Sequence, residues 1–514
     1  MWESSSTVCD HDLASLKGSG TLQDPFIVNW DDKDPENPLS FPNSKKWIIT
    51  SQLAFCTWTV SFSSSVYSAG LESMARELRV SESVAILGLS LYVLGFALGP
   101  LASLFTCYIA VDSPWYQMFA PLGEIYGRRL VFLITFVACT VFQLQGCLAR
   151  DSIAALLSCR LLTGIFGSSS LVNAPAQISD LWDSKERGRA TSIYNTFPFL
   201  GPTPTDQQFP VVGGYVVTTL GWRFNFWLQF IFTALSLLTG AVLTPETYAP
   251  VLLRRRASKL TRQSNGILHF VSIHDQFSAS RTMFSDFARP FVFLVTEPIV
   301  LCTGFYIALA YGSLYSLFAA FPIVFQQHHH FTSAQGGLVF CGLGIGILLG
   351  LASTPIQNRI YCRASQKSET KRAAPEARLH QAMFGGALVP LGLFWFAFSV
   401  SPSVHWLIPV IGSAVFGIGI SAILQSLTSY LMDTYDVYFA SAVASTIVLR
   451  SVCAATMPLT VPIMFSHLGD MGAMVVLGAL GLACAPIPFL LWRYGQWIRT
   501  KSSIAFKEKT TDMP

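Results

Sequence analysis

The chain has 514 residues, of which 52% are apolar and only 12% charged, with a formal net charge of +4; its mean hydropathy is +0.48. Soluble proteins carry roughly a quarter charged residues, so an ordinary water-exposed surface is excluded and a chain embedded in lipid is implied. The 11 cysteines are scattered, mostly inside apolar stretches and without a CxxC pair, which argues against a zinc or disulfide framework.

The first 45 residues are polar, so membrane entry is expected to use the first spanning helix rather than a cleaved leader. Apolar blocks of about 20 residues, the length that crosses a bilayer as helix, then follow at 47–70, 84–111, 130–149, 152–176, 191–219, 222–243, 291–325, 335–356, 382–400, 404–431, 438–466 and 471–492. Barrel strands would alternate over about ten residues, whereas these blocks are continuous. The expected fold class is therefore an all-α integral membrane protein with twelve transmembrane helices in two six-helix bundles. The expected divisions are a cytoplasmic tail (1–45), a bundle (46–244), a cytoplasmic central loop (245–290), a second bundle (291–493) and a cytoplasmic tail (494–514).

Charge placement gives the orientation. Of the 33 Lys and Arg, only Arg76, Arg79, Arg150 and Arg223 fall in loops on one side, and Arg160 and Arg450 lie within apolar blocks. The rest gather on the other side, which the positive-inside bias assigns to the cytoplasm together with both termini. Arg254, Arg255, Arg256, Lys259 and Arg262 in the central loop read as a topology or anionic-lipid element rather than a nucleic-acid patch.

The stretch PLGEIYGRR (Pro121–Arg129) crowds Glu124, Gly127, Arg128 and Arg129 between two apolar blocks. Glycine permits a tight interhelical turn. The arginines can pair with Glu124 or with helix C-termini, contacts that bias a rocking transporter if they differ between its states; this is a candidate gating loop. PIQNRIYCR (Pro355–Arg363) echoes it at the same place in the second half, as a parallel repeat requires.

An arginine in mid-membrane costs about 2.5–3.5 kcal/mol on insertion scales. Arg160 and Arg450 are therefore expected to face the bundle interior, paired to carbonyls, polar groups or an acid. Gly201, Pro202, Gly213 and Gly214 suit close helix packing and a bend. Tyr67, Asn173, Gln177, Asn195, Tyr311, Tyr315, Gln425 and Tyr430 are candidates for lining a substrate pocket, with helix–helix hydrogen bonding as the competing reading. The apolar, aromatic character of these blocks favours hydrophobic neutral or weakly cationic cargo. His328, His329 and His330 read as a polar loop, because three consecutive residues do not converge easily on one ion; no metal or cofactor is expected. No G-x4-GK-[ST] loop occurs, so ATP drive lacks its phosphate cradle, and no reactive constellation suggests an enzyme. The expected partners are a small-molecule substrate, protons and the lipid bilayer, with one chain, a monomer, supplying a full path.

Further motifs carry a resemblance. PLGEIYGRR, CRLLTGIFGSS (Cys159–Ser169), PETYAPVLLRRRASKL, TEPIV, YIALAYGSLY, FPIVF, PEARLHQAMFGG, LGLFWFAFS and HWLIPVIGSAVFGIG are similar to those of the major facilitator superfamily, and within it the fungal twelve-spanner drug:proton antiporters. The similarity runs from about Val28 to Ala505, with Arg160 and Gly164 in register with the helix 4 signature. It implies proton-coupled export of a drug, toxin or secondary metabolite across the plasma membrane, with a part for Arg160 in proton coupling. An importer or polyamine carrier on the same scaffold, or a transport-defective member, is the alternative. The chain departs from the pattern at three places: the extra stretch Ala102–Phe119, GPTPTDQQFPVVGG (Gly201–Gly214) with Phe209 where glycine is usual, and Ala319 where helix 7 usually carries an acid. The first two read as gene-model extensions, with divergence as the rival explanation.

Overall fold

The computed structural model describes residues 21, 25–31, 34–109, 127–149, 152–200, 220–264, 270–272, 291–329, 331, 333–367, 373–435 and 439–502. Glu124, Gly201, Pro202, Gly213, Gly214, His330 and most of both extra stretches lie outside these residues. The first bundle contains α1 (Asn43–Ser65), α2 (Leu71–Leu78), α3 (Glu82–Ile109), α4 (Arg128–Leu148), α5 (Ile153–Leu181), α6 (Ser184–Leu200) and α7 (Arg223–Leu243). A separate helix, α8 (Ala249–Gln263), follows. The second bundle contains α9 (Pro298–Phe321), α10 (Ser333–Ala352), α11 (Thr354–Lys367), α12 (His380–Ser399), α13 (Leu407–Tyr435), α14 (Phe439–Cys484) and α15 (Ile487–Lys501).

Among the described residues, eight helical stretches are long and apolar enough to cross a membrane. The last of them, Ser441–Lys501, has 61 residues, about three times the need for one crossing. Gly469 adopts φ 70° inside it, a conformation that suits glycine, and breaks the rod into two crossings. The α1 helix is long enough but carries many hydroxyls, so it falls below a simple apolarity criterion. Four of those hydroxyls are satisfied within the helix: Thr50, Thr57, Thr59 and Ser63 each donate to the carbonyl four residues back. With their partners supplied locally, α1 can sit buried in the bundle. The exterior is apolar instead: Val242 is 82% exposed, Leu238 65% and Phe398 63%. Faces of this kind suit lipid, not water.

The two bundles repeat one packing device. Gly95 and Gly99 of α3 lie against α5, where a Cβ at Gly95 would meet backbone atoms of Leu161, Gly164 and Ile165, and one at Gly99 would strike Ser168. In the second bundle Gly346 and Gly350 of α10 lie against α13, meeting Ala414 and Ser421 in the same way. Small residues let membrane helices approach backbone to backbone. The faint echo between PLGEIYGRR and PIQNRIYCR is thus the surface trace of a repeat carried mainly by glycines.

The central loop, whose basic run reads as a topology or anionic-lipid element, has structure of its own. Among the described residues the only sheet pairs β1 (Phe26–Val28) with β2 (Phe270–Ser272) in parallel. Leu253 and Ala257 of α8 pack with Val28 and Phe270, and Phe26, Trp30 and Leu260 join them. Arg256 of α8 pairs with Asp34. This joins the N-terminal tail to the loop between the bundles. At the other end of the chain, α15 runs on to Lys501 rather than ending near 493, because Arg499 makes a bidentate pair with buried Glu376 at 2.9 and 2.8 Å.

Candidate functional site

The bundles meet along a seam where α3 packs on α14 and α6 packs on α10 and α13. Polar side chains gather along this seam and inside the first bundle. Arg160 of α5 is 2% exposed. Its guanidinium donates to the carbonyls of Ser63 (2.7 Å), Ser64 (3.4 Å) and Gly88 (3.4 Å) and to Oε1 of Gln229 (3.1 Å). Its Cζ lies 4.4 Å from the Tyr67 ring centroid and 4.2 Å from that of Tyr92. Carbonyl dipoles and ring faces therefore solvate the cation in place of water. Among the described residues it has no carboxylate partner.

Arg450, half-buried on α14, stands at the seam. Its Cζ lies 5.0 Å from the Tyr311 ring centroid. Among the described residues it makes no hydrogen bond or ion pair. Tyr311 and Tyr315 have ring centroids 5.2 Å apart, and the Tyr315 hydroxyl meets Ser64 Oγ at 3.0 Å. That contact ties α9 to α1 near the end of the molecule opposite its cation-rich side.

The remaining predicted pocket residues scatter. The Tyr67 hydroxyl donates to the Ala85 carbonyl at 2.9 Å, so this residue serves the Arg160 cluster. Asn173 is buried and donates to Ser169 Oγ at 3.1 Å, while its Oδ1 and Gln177 Oε1 have no hydrogen-bond partner among the described residues. Gln425 accepts from Thr354. A Cβ at Gly495 would lie 3.0 Å from the Tyr430 hydroxyl and 2.9 Å from Glu376 Oε1, which places Tyr430 in the charge cluster at the cation-rich end. The Asn195 side chain lies outside the described residues. Gly164 sits at the α3–α5 crossing, where a Cβ would strike the Tyr92 carbonyl.

Of the candidate gating loop, Gly127, Arg128 and Arg129 are described, and they form a capped helix start. Gly127 has φ 102°, a conformation that suits glycine, and α4 begins immediately after it. Buried Glu246 accepts from the backbone N–H groups of Arg128 (2.9 Å), Arg129 (3.3 Å), Thr247 (3.0 Å) and Tyr248 (3.0 Å). A carboxylate placed there satisfies orphan donors and meets the positive end of the α4 dipole. The Arg128 side chain pairs with Asp180 at the end of α5 (3.4 Å) and lies over Tyr248; Arg129 donates to the Ala241 carbonyl at 2.9 Å. Sequence reasoning named PETYAP as a motif but gave Glu246 no role; its position one residue after a proline and at the end of an apolar block was the available signal.

The second bundle has a matching pair that sequence reasoning also missed. Arg378 donates to Asp433 at 2.8 Å, with its Cζ 3.5 Å from the Tyr361 ring centroid. Burial works against the guanidinium charge, but Asp433 and Tyr361 outweigh it and raise the arginine's pKa. Gly188 of α6 abuts this pair: a Cβ there would lie 3.0 Å from Arg378 Nη1 and 3.5 Å from Asn358 Oδ1. The bundles thus touch at the cation-rich end through Gly188 and Arg378, and at the other end through Ser64 and Tyr315. An axial path between them can open to one side only if one of these contacts parts.

The sequence profile of the Major Facilitator Superfamily matches residues 53–458. The chain belongs to that superfamily. It is 39% identical to the efflux pump FUB11 of Gibberella moniliformis, over 95% of this chain and 79% of the relative. It is 39% identical to the MFS-type efflux pump MFS2 of Trichophyton rubrum, with the same coverage. The multidrug transporter mdrA of Aspergillus fumigatus is 37% identical over 96% of this chain and 78% of its own length. In fold, the chain is similar to the proton:xylose symporter XylE (TM-score 0.61, 14% identity, 88% of this chain and 96% of that one). The human organic anion transporter MFSD10 is also similar (TM-score 0.56, 16% identity, 87% and 100%). At these identities the structural likeness shows the fold alone. A member of this superfamily is a multi-pass membrane transporter of small molecules, not an enzyme.

Proposed function

We propose that this facilitator exports small organic molecules across the plasma membrane by alternating access and proton antiport, with both termini in the cytoplasm. The observation that carries export is the identity of 37–39% over nearly the whole chain to three fungal transporters, two named efflux pumps and one named a multidrug transporter. Two of the contacts between the bundles, at opposite ends of the seam, give export a mechanical basis. When Gly188 and Arg378 separate, cargo enters from the cytoplasm; when Ser64 and Tyr315 separate, it leaves. The Arg128–Asp180 pair and the Glu246 cap hold the inner ends of α4, α5 and α7 as one body that moves together. Arg160 sets the field in which a proton is taken up.

Inside-out vesicles bearing the full chain test this reading. With the lumen acidified, hydrophobic fluorescent dyes should accumulate inside, and nigericin should abolish the accumulation. Uptake indifferent to the pH gradient would overturn antiport; no dye movement in either direction would overturn export.

A further inference from the structure

Helix α8 lies outside the spans, and the alternating-access cycle uses none of its charges. Five of the nine residues from Arg254 to Arg262 are cationic, and they divide between two faces. Arg256 faces the N-terminal tail: it pairs with Asp34, and beside it Ala257 packs with Val28, Leu253 and Phe270. Arg254, Arg255, Lys259 and Arg262 instead line a cavity of about 680 Å³ with Ser258. Ser258 is two residues from Arg256, and residues so spaced do not face each other on a helix. Arg254 and Arg255 precede Ser258 by four and three residues and Arg262 follows by four, spacings at which helical side chains are neighbours. The serine is exposed among the described residues.

The same residues form a linear pattern. Arg255 and Arg256 stand three and two residues before Ser258, and two arginines so placed precede no other serine or threonine in the 514 residues. Protein kinases select substrates by charge pattern. A serine behind two arginines suits a kinase whose groove is lined with carboxylates, since each carboxylate takes a guanidinium in a bidentate pair.

We propose that Ser258 is a phosphorylation site for an arginine-directed serine kinase, and that the docked N-terminal tail controls its access. This goes beyond transport but rests on the cytoplasmic placement of the tail and central loop, the side that supplies kinase and ATP. In the transfer, the Ser258 hydroxyl oxygen attacks the γ-phosphorus of ATP held by the kinase. The bond from that phosphorus to the β,γ-bridging oxygen breaks, ADP leaves, and the hydroxyl proton passes to the catalytic aspartate of the kinase. The product adds a charge of about −1.5 to −2 amid four cations, and Arg254, Arg255 and Arg262 are the neighbours that pair with it. A kinase groove takes its serine in an extended segment, so α8 has to open locally around Ser258. The Asp34–Arg256 pair, the packing of Leu253 and Ala257 on Val28 and Phe270, and the Phe270 N–H donating to Thr261 Oγ1 at 3.2 Å oppose that opening. Asp34 also occupies Arg256, one of the two arginines the kinase reads. Undocking of the tail therefore releases the helix and the recognition residue together.

The test treats phosphatase-stripped full-length protein in detergent with ATP and the catalytic subunit of cyclic-AMP-dependent kinase, and maps the phosphate by mass spectrometry. Ser258 should be labelled, and Ser258→Ala should lose that label. Arg255→Gln should be labelled at least about tenfold more slowly, the size of one charge-assisted hydrogen bond. Asp34→Ala should be labelled about two- to fivefold faster, the range for loss of a partly exposed ion pair. No phosphate on Ser258, or an unchanged rate in Arg255→Gln, overturns the site and leaves the orientation and export standing. A rate in Asp34→Ala equal to that of the unaltered protein overturns control by the tail. Sealed vesicles given kinase and ATP from outside test the placement separately: inside-out vesicles should be labelled at Ser258, and labelling of right-side-out vesicles instead would overturn the cytoplasmic placement and the site together.

Discussion

Glu246 offers the sharpest test of how the inner face is held. Its Oε1 accepts from the N–H groups of Arg128, Thr247 and Tyr248 at 2.9–3.0 Å, and its Oε2 from Arg129 at 3.3 Å. A hydrogen bond to a charged group contributes about 1.5–3 kcal/mol against about 1 for a neutral one, and a charge at a helix N-terminus adds about 0.3–1. Glu246→Gln keeps an oxygen in place but loses the charge, so a loss of about 2–3 kcal/mol is expected. Glu246→Ala strands all four donors and should cost about twice as much. Thermal unfolding of the full-length protein in detergent, followed by tryptophan fluorescence, should rank wild type above Gln and Gln above Ala. If Gln and Ala melt together, or both melt with wild type, the carboxylate is not what fixes the start of α4.

Other outcomes follow from the same geometry. Arg378→Gln or Asp433→Asn alone should destabilise by about 3–5 kcal/mol, because each leaves a buried charge unpaired, whereas an Arg378→Met/Asp433→Leu double variant should recover much of the loss; melting of the four proteins checks this. Gly164→Val and Gly417→Val should each abolish the folded peak in size-exclusion chromatography, since a Cβ at either position strikes a carbonyl of the facing helix, while Gly221→Ala, with φ 84° but open space around it, should cost only about 1–2 kcal/mol. On the opposite face, hydrogen bonds from Arg223 and Trp222 hold the Glu77 carboxyl below its ordinary 4.5, with burial opposing them weakly. A depressed carboxylate pKa contributes stability above the ordinary value and loses it as pH falls through the shifted one, so the distance between spin labels on α2 and α7 should stay constant from pH 8 to 5 and lengthen only below the ordinary 4.5.

The spans were legible because lipid imposes a length and a polarity that composition displays directly. Even so, α1 shows the limit of that signal: its hydroxyls make it look polar until their i−4 carbonyl partners are seen. Helix α8 was missed because a polar loop gave no apolar block; its stripe of Val251, Leu253, Ala257 and Leu260 acquires meaning only beside Val28 and Phe270. Arg160's need for acceptors follows from its place in an apolar block. The identity of those acceptors does not, because Ser63, Gly88 and Gln229 come from three other helices. Glu246 and Arg128 are likewise distant in sequence, and no periodicity connects a cap to the helix it closes.

The internal repeat separates scaffold from specialisation. Gly164 matches Gly417, Ser168 matches Ser421 and Asp180 matches Asp433, all at one spacing along the chain, and each pair performs the same task in its bundle. Counting from these pairs, the counterpart of Arg160 is Ser413, whose hydroxyl merely donates to the Val410 carbonyl at 2.7 Å. Nor does α6, the helix that corresponds to the first part of α14, carry a cation between Ala190 and Leu200. Packing and the clamps at the cation-rich end are thus duplicated, while the two interior charges are not. A device needed to hold a bundle together would be needed twice. Charges that appear once, one enclosed in the first bundle and one at the seam, are better explained by the work of the path between the bundles than by the stability of either.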